Sequence, residues 1–318
     1  MSAHGPDTHD CHDHGTNAGG HHGHTHIPKD FGFAFAAGIA LNTGFVVIEA
    51  IYGFLANSMA LLADAGHNLS DVFGLLLAWG ATALVKRAPT PRFTYGFGSS
   101  SILAALANAI FLLIATGAIA GEALQRLGAP EPVAGKTVMI VAAVGILING
   151  LTAFMFMSGR KDDINIRAAF LHMAADALIA LGVVLAGLVM LLTGWHWLDP
   201  VVSLLISAII VWGTWGLLRD SAKMALHAVP PGIDPAQVRA HLESLPGVVK
   251  IHDLHIWPMS TTETALTCHL VMPDGHPGDA FIVGAAKSLH AAFEIRHATL
   301  QIECGDAGQC ALEPDHVV

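Results

Sequence analysis

"LLADAGHNLSDVFGLLLAW", residues 61–79, is long and apolar enough to lie in a membrane helix, yet it contains ionisable side chains. Two carboxylates, Asp64 and Asp71, flank the imidazole of His67. An ionised carboxylate at the centre of a spanning helix costs roughly 2.5–3.5 kcal/mol. We therefore expect these groups to face another helix, water or a cation rather than lipid.

The composition extends this interpretation to most of the chain. Of its 318 residues, 53% are hydrophobic and only 13% are charged, whereas about a quarter of a soluble protein is charged. A spanning helix needs about 20 apolar residues, and six runs meet that length: about 31–56, 59–85, 100–127, 136–158, 168–193 and 197–218. The predicted fold is therefore membrane α-helical, with six transmembrane helices.

The basic residues predict the orientation of these helices. Lys and Arg concentrate in the cytoplasmic loops of membrane proteins. Here they occupy the second and fourth connections and the segment after the sixth run, at Lys86, Arg87, Arg92, Arg160, Lys161, Arg167, Arg219 and Lys223. The opposite side has Arg126 and Lys136. We expect both termini in the cytoplasm of a protein embedded in lipid in the plasma (bacterial inner) membrane.

The chain divides into four predicted parts. Residues 1–30 are rich in histidine and are predicted to be a disordered tail, followed by the transmembrane domain at 31–220. Residues 230–304 show an α-β-β-α-β order typical of a small α+β domain, beginning with "DPAQVRAHLESL", where an Asp cap precedes Pro235. Residues 305–318 form a C-terminal tail.

Charge and motifs disfavour several partners. A formal net charge of −10 argues against a nucleic-acid partner. The stretch "EPVAGKTV" resembles the end of a phosphate-binding loop, but Pro130 stands where the first glycine is needed, so no nucleotide partner is expected. The four cysteines show no CxxC pairing.

A repeated HxxxD spacing is the strongest chemical signal. His67 and Asp71 are four residues apart, and "AFLHMAADAL" repeats the spacing with His172 and Asp176. Residues four apart share a helix face, and two imidazoles with two carboxylates suit tetrahedral zinc. The alternative is that each pair only links helices by hydrogen bonds. Asp64 remains open as an outer-sphere group, an entry ligand or a helix-start residue. Interhelical hydrogen bonds are expected for Asn42, Glu49, Asn108 and Asn149.

Three motifs together resemble the cation diffusion facilitators: "SMALLADAGHNLSDV", "YGFG" and "VKIHDLHIW", within a resemblance that covers about residues 31–304. The resemblance implies a homodimer, six transmembrane helices and a cytoplasmic ferredoxin-like domain. It also implies antiport of divalent metal against protons, with His67, Asp71, His172 and Asp176 as the transport site. Histidine at both first positions is typical of zinc transporters.

The resemblance also points to a metal site in the cytoplasmic domain. His252 and His269 match ligand positions of relatives, and Glu303 can serve near the end of the chain, whereas Gln301 is a poor ligand. His255 and His297 are candidate substitutes. Zn²⁺ is thus expected as substrate and as a regulatory ligand.

These features predict secondary active efflux of Zn²⁺, with Cd²⁺ or Co²⁺ as further candidates, and protons as counter-ion. Metal binding needs neutral imidazoles, so protons compete for the histidines near their ordinary pKa of about 6.5. A membrane-anchored metal sensor and an intramembrane zinc hydrolase are the alternatives. The hydrolase would need a general base such as that of HExxH, which the chain lacks. The histidine-rich tail either raises the local zinc concentration near the cytoplasmic entrance or is dispensable.

Overall fold

The computed structural model describes residues 31–157 and 164–304, together with Cys310 and Leu312. The predicted tail at 1–30 and most of 305–318 lie outside the described residues. Six long helices come first: α1 Phe31–Leu55, α2 Met59–Val85, α3 Ser100–Gly128, α4 Gly135–Phe156, α5 Ile164–Thr193 and α6 Leu198–Ala225. The C-terminal part follows as α7 Pro235–Glu243, β1 Lys250–Pro258, β2 Thr264–Val271, α8 Asp279–Phe293 and β3 His297–Glu303.

The six long helices confirm the predicted fold class. The helices α2 to α6 each contain a stretch long and apolar enough to cross a membrane, and the apolar part of α1, Ala40–Leu55, is shorter. The last helix, α6, continues to Ala225, past the predicted end near residue 218. Its final turns carry Arg219 and Asp220, whose charged atoms lie 3.8 Å apart. Polar residues can continue a helix that has left the apolar layer, so the end of the apolar run did not mark the end of the helix.

A polar junction joins the first turns of α2 and α6. Ser58 is the N-cap of α2 and accepts a hydrogen bond from the Leu61 amide at 3.2 Å. Its hydroxyl donates to Asp199, which also accepts from the Met59 amide at 2.6 Å. Asp199 is fully buried. One carboxylate therefore satisfies amides that an isolated helix start leaves unpaired.

Small residues allow α4 and α5 to approach closely. A Cβ on Gly135 would lie 3.0 Å from the Gly187 carbonyl oxygen, and a Cβ on Gly187 would lie 3.1 Å from the Gly135 carbonyl oxygen. Close contact at small residues is typical of helix pairs in membranes. Large apolar side chains such as Trp79 and Trp212 lie exposed on the outside of the bundle, where lipid would cover them.

The C-terminal domain is a three-stranded sheet with two helices. The strand order is β1-β2-β3, with β1 and β2 antiparallel and β2 and β3 parallel. Asp234 caps α7 and accepts from the Ala236 amide at 2.9 Å, with proline in the first turn, as the sequence predicted. Val238 and Leu242 of α7 and Leu289 of α8 lie in its buried core.

The turn between β1 and β2 contacts the loop before α3. The Met259 carbonyl accepts a hydrogen bond from the Ser99 hydroxyl at 3.4 Å. The Thr261 amide donates to the Ser101 hydroxyl at 3.1 Å. A Cβ on Gly98 would lie 2.6 Å from the Met259 carbonyl oxygen, so this contact requires glycine. The C-terminal domain thus contacts the membrane bundle at the end where α2 finishes.

Candidate metal centres

The structure brings together all four residues of the repeated HxxxD motif. On α2, His67 Nε2 lies 3.7 Å from Asp71 Oδ2, and on α5, His172 Nε2 lies 3.7 Å from Asp176 Oδ2. Across the helices, His172 Nε2 lies 3.1 Å from Asp71 Oδ2, and His67 Nε2 lies 3.7 Å from Asp176 Oδ1. Each imidazole therefore faces both carboxylates.

Donor atoms of His67, His172 and Asp176 all lie within 4.8 Å of one another, which suits one small cation. Asp71 lies outside that converging set and would have to move inward to complete four ligands, although its Oδ2 is 3.1 and 3.7 Å from the two imidazole nitrogens. Zinc binds nitrogen and oxygen at about 2.0–2.1 Å, so neighbouring ligand atoms of a tetrahedral site lie about 3.3 Å apart. The four measured nitrogen–oxygen distances run from 3.1 to 3.7 Å and bracket that value. We call this group of His67, Asp71, His172 and Asp176 the membrane cluster.

Asp176 is the most buried member of the membrane cluster. Its side chain is 2% exposed, and among the described residues neither of its oxygens has a hydrogen-bond partner. A buried charge without a partner is costly. A bound cation would compensate this buried charge. Each Asp176 oxygen lies 3.7 Å from an imidazole nitrogen, so such a cation would also contact the histidines.

A cavity joins the membrane cluster to the side of the bundle that contacts the C-terminal domain. Its volume is about 600 Å³. Asp71 and His172 lie at one part of its lining, whereas Thr82, Ser101 and Thr261 line the part near the end of α2. The two more exposed members of the cluster, Asp71 and His172, thus border the same cavity as residues at that end of the bundle.

Asp64 lies one turn before His67 and is buried at 2% exposure. It faces Glu49 of α1, which is fully buried and accepts a hydrogen bond from the Asn68 amide group at 3.3 Å. Asp71 and Asp176 each lie within 3.7 Å of both imidazoles, whereas among the described residues Asp64 makes no such contact. This favours the outer-sphere interpretation of Asp64 over direct ligation.

Two of the predicted interhelical asparagines make such contacts. The Asn42 amide group donates to Met173 Sδ on α5 at 3.3 Å. Asn108 on α3 accepts from the Ser70 hydroxyl on α2 at 3.5 Å. Asn149 is buried on α4. These contacts hold the helices that carry the membrane cluster.

A second cluster lies on the sheet of the C-terminal domain. His252 Nε2 and His269 Nδ1 each lie 2.9 Å from an oxygen of Glu303. Donor atoms of His252, His269, Glu303 and Cys310 all lie within 4.8 Å of one another. Burial raises the pKa of Glu303, but the hydrogen bond from His252 and the neighbouring imidazoles lower it by more, so its pKa is below the usual value. We call these four residues the sheet cluster.

A backbone irregularity places one more carboxylate beside the sheet cluster. The pairing of β1 with β2 slips between His252 and His255, and Asp253 has a φ of 51°. The Asp253 carboxylate then lies 3.5 Å from His269 Nε2 and 2.9 Å from His255 Nε2. It can therefore hold the His269 ring with Nδ1 directed to the cluster.

Several sequence candidates lie elsewhere. His255 bonds to Asp253 and is not in the sheet cluster, and the His297 ring packs on Tyr95 at 5.6 Å between centroids. Gln301 is exposed, and its amide group donates to Glu303 at 3.4 Å. Cys310 and Asp253 were missed by sequence reasoning. Neither residue belongs to a recognisable metal-binding motif. For Asp253, its position directly after His252 on a predicted strand was the one visible signal.

Two family models match the chain. The cation efflux transmembrane domain matches residues 35–224, and the cation efflux protein cytoplasmic domain matches residues 230–304. A solved structure of the metal-bound C-terminal domain of the CzcD transporter from Cupriavidus metallidurans is 33% identical. It covers 22% of this chain and 99% of that chain, with a TM-score of 0.21.

Curated relatives match over most of their length. The zinc transporter ZitB of Escherichia coli (strain K12) is 36% identical over 289 residues, which is 89% of this chain and 91% of the relative. The cadmium, cobalt and zinc/H⁺-K⁺ antiporter of Bacillus subtilis (strain 168) is 35% identical over 82% of this chain and 85% of the relative. The metal cation efflux system protein CzcD of Cupriavidus metallidurans is 32% identical over 92% of both. The chain therefore belongs to the cation efflux family, the cation diffusion facilitators, which are integral membrane transporters of metal ions and not enzymes.

Proposed function

We propose that this protein exports Zn²⁺ from the cytoplasm through the membrane cluster, by secondary active transport. Cd²⁺ and Co²⁺ are further candidate substrates, because a relative that matches most of the chain is named for cadmium, cobalt and zinc. The family consists of transporters, so neither the sensor nor the hydrolase alternative gains support. We keep the proposed domain boundaries: a transmembrane domain at 31–220 and a cytoplasmic domain at 230–304.

The observation that carries the proposal is the state of Asp176. Its buried oxygens lack hydrogen-bond partners among the described residues, and each lies 3.7 Å from an imidazole nitrogen. Two neutral imidazoles and two carboxylates would balance the charge of one divalent cation. Nitrogen and carboxylate ligands favour zinc over magnesium or calcium, which prefer oxygen alone.

Protons are the proposed counter-ions. Zinc binds neutral imidazole and ionised carboxylate, so loading on a neutral side releases any protons held there. On a more acidic side, protons compete for His67 and His172, whose ordinary pKa of about 6.5 lies in the physiological range. Return of the protonated cluster would couple zinc export to the proton gradient.

The cavity suggests how zinc reaches the membrane cluster from the cytoplasm. It extends from Asp71 and His172 to Thr261 of the C-terminal domain, which supports an entry route from that side. We place this side in the cytoplasm, on the evidence of the basic loops, in a plasma (inner) membrane. Tilting of α2 and α5 against the other helices would expose the cluster to the opposite side. We further propose a homodimer, in keeping with the match to the cytoplasmic domain of the family.

The test is zinc flux in proteoliposomes under an imposed pH gradient. Wild type is compared with Asp176→Asn, which removes one ligand charge, and with Asp220→Asn, a matched change of an exposed carboxylate at the end of α6. We expect flux in wild type and Asp220→Asn that collapses when the gradient is dissipated, and none in folded Asp176→Asn. Flux that persists without a gradient would refute proton antiport. Flux that persists in Asp176→Asn would refute the assigned site.

A further inference from the structure

Cys310 and Leu312, which follow β3, each contact one of the two histidines of the sheet cluster. Cys310 Sγ lies 3.7 Å from His269 Nδ1. The Leu312 carbonyl oxygen lies 3.4 Å from His252 Nδ1. Both contacts involve the same two histidines that approach Glu303, so Cys310 and Leu312 lie on the same side of the sheet as that carboxylate.

The distances around Cys310 suit a metal ligand. With zinc–sulfur at about 2.3 Å and zinc–nitrogen at about 2.0–2.1 Å, a sulfur and a nitrogen on one tetrahedral ion lie about 3.6 Å apart. The measured separation of Cys310 Sγ and His269 Nδ1 is 3.7 Å. The two imidazole–Glu303 contacts of 2.9 Å are hydrogen-bond distances and would open by a few tenths of an ångström around an ion.

The charges of the sheet cluster also balance a divalent metal. His252 is 2% exposed at its side chain and His269 is 10% exposed, so the site is largely removed from water. Two neutral imidazoles, the Glu303 carboxylate and a Cys310 thiolate together carry two negative charges. On binding, the thiol gives its proton to solvent as the sulfur–metal bond forms.

Groups around the cluster orient both histidines for this role. Leu312 O can accept the Nδ1–H of His252, which leaves Nε2 free for the metal. Asp253 can accept the Nε2–H of His269 at 3.5 Å, which leaves Nδ1 free. Carboxylate and carbonyl acceptors behind ligating histidines are usual at metal sites.

From this arrangement we propose that the sheet cluster binds one thiophilic divalent metal, Zn²⁺ or Cd²⁺, with the Cys310 thiolate as its fourth ligand. The bound metal then holds the Cys310 side chain beside the sheet.

The other described cysteines do not fit this role. Cys268 is buried on β2, its Sγ lies 3.7 Å from the His252 carbonyl oxygen, and burial raises the pKa of its thiol to about 12. Cys304 is exposed and is not one of the converging donors. Cys304 therefore provides a matched control, since it is a nearby thiol that directly follows Glu303 at the end of β3.

The first experiment uses the purified full-length protein with Cys11→Ser, so that no thiol remains in the histidine-rich tail. It is titrated with Co²⁺ or Cd²⁺ while thiolate-to-metal charge-transfer absorption is recorded. The membrane cluster has no sulfur and cannot give this signal. We expect one thiolate-bound metal per chain, loss of the band in Cys310→Ser, and an unchanged band in Cys304→Ser. A band that survives Cys310→Ser, or that disappears in Cys304→Ser, would overturn the assignment.

A second measurement needs no change at Cys310. Alkylation of Cys310 is followed by mass spectrometry with and without added Zn²⁺. Because the free thiolate is the nucleophile, we expect zinc to slow the alkylation of Cys310 in the wild type and to give no protection in Glu303→Gln. Alkylation of Cys310 that is independent of zinc in the wild type would show that the metal does not bind Cys310, whatever the state of transport.

Discussion

His172 Nε2 on α5 lies 3.1 Å from Asp71 Oδ2 on α2, closer than the 3.7 Å to Asp176 Oδ2 on its own helix. The HxxxD spacing suggested pairs within each helix, whereas the shortest contact joins the two helices. A metal held here would therefore cross-link α2 and α5. Because ligand type sets metal preference, replacing one of these ligands by another kind should change which ion is transported.

The substitution His172→Asp should shift selectivity towards harder ions. It replaces an imidazole nitrogen with a carboxylate oxygen, and oxygen ligands favour Mn²⁺ relative to zinc. We expect the ratio of Mn²⁺ to Zn²⁺ flux in proteoliposomes to rise about tenfold, which corresponds to 1.4 kcal/mol. His276→Asp, at an exposed loop position, should leave the ratio unchanged. An unaltered ratio in His172→Asp would show that His172 does not touch the transported ion.

The junction between α2 and α6 should contribute measurably to stability. Asp199→Ala leaves the Met59 amide and the Ser58 hydroxyl without their buried acceptor. Hydrogen bonds to a charged group contribute about 1.5–3 kcal/mol, so the thermal midpoint should fall clearly, as followed by intrinsic tryptophan fluorescence in detergent. Asp220→Ala on the same helix removes an exposed charge, and its midpoint should match the wild type. Equal midpoints for the two variants would contradict the structural role of Asp199.

Much of this architecture was predictable from sequence, for identifiable reasons. Apolar length and loop charge predicted the helices, and the Asp234 cap with Pro235 predicted the start of α7. The cross-helix pairing of Asp71 was not predictable, because spacing reports only which residues share a face. Nor was the place of Cys310, which reaches the sheet cluster through the fold rather than through a spacing. Asp253 was missed because a strand pattern gives no sign of a local slip in pairing.

The contact between the C-terminal domain and the membrane bundle should depend on Gly98. In Gly98→Ala the new methyl would lie 2.6 Å from the Met259 carbonyl oxygen, so the turn between β1 and β2 must move away. Overpacking of this kind costs about 1–3 kcal/mol. We expect a lower thermal midpoint and faster proteolysis between the two domains. Gly117→Ala on α3 has open space at its Cβ and is the matched control; a midpoint for Gly98→Ala as high as that of the control would exclude a tight contact.

Cys268 and Cys304 should differ sharply in reactivity. Burial raises the pKa of Cys268 to about 12, so at pH 8 its reactive thiolate is present at only about one part in ten thousand. Cys304 is exposed and should react with iodoacetamide within minutes, while Cys268 reacts only after unfolding. Since the unfolded thiol ionises near its ordinary pKa of 9.0, the unfolded state loses its proton first as pH rises. Stability due to the neutral buried thiol is therefore full below about pH 9 and decreases from there towards pH 12. Equal labelling of both thiols in the folded protein would contradict the burial of Cys268.

The Asp253 carboxylate lies behind His269, 3.5 Å from its Nε2. Asp253 adopts a φ of 51°, a left-handed conformation that asparagine also tolerates. Asp253→Asn should therefore keep the backbone of β1 and remove only the negative charge beside His269 Nε2. Outer-sphere partners of ligating histidines contribute about 10–100-fold to metal affinity. We expect the affinity of the sheet cluster for Cd²⁺ to fall by about 10–100-fold. The thiolate charge-transfer band should be retained at saturating Cd²⁺, because Cys310 is intact. Asp274→Asn, in an exposed loop of the same domain, should bind Cd²⁺ as the wild type does. If Asp253→Asn also left the affinity unchanged, Asp253 would have no part in orienting His269, and the slip in strand pairing would need another explanation.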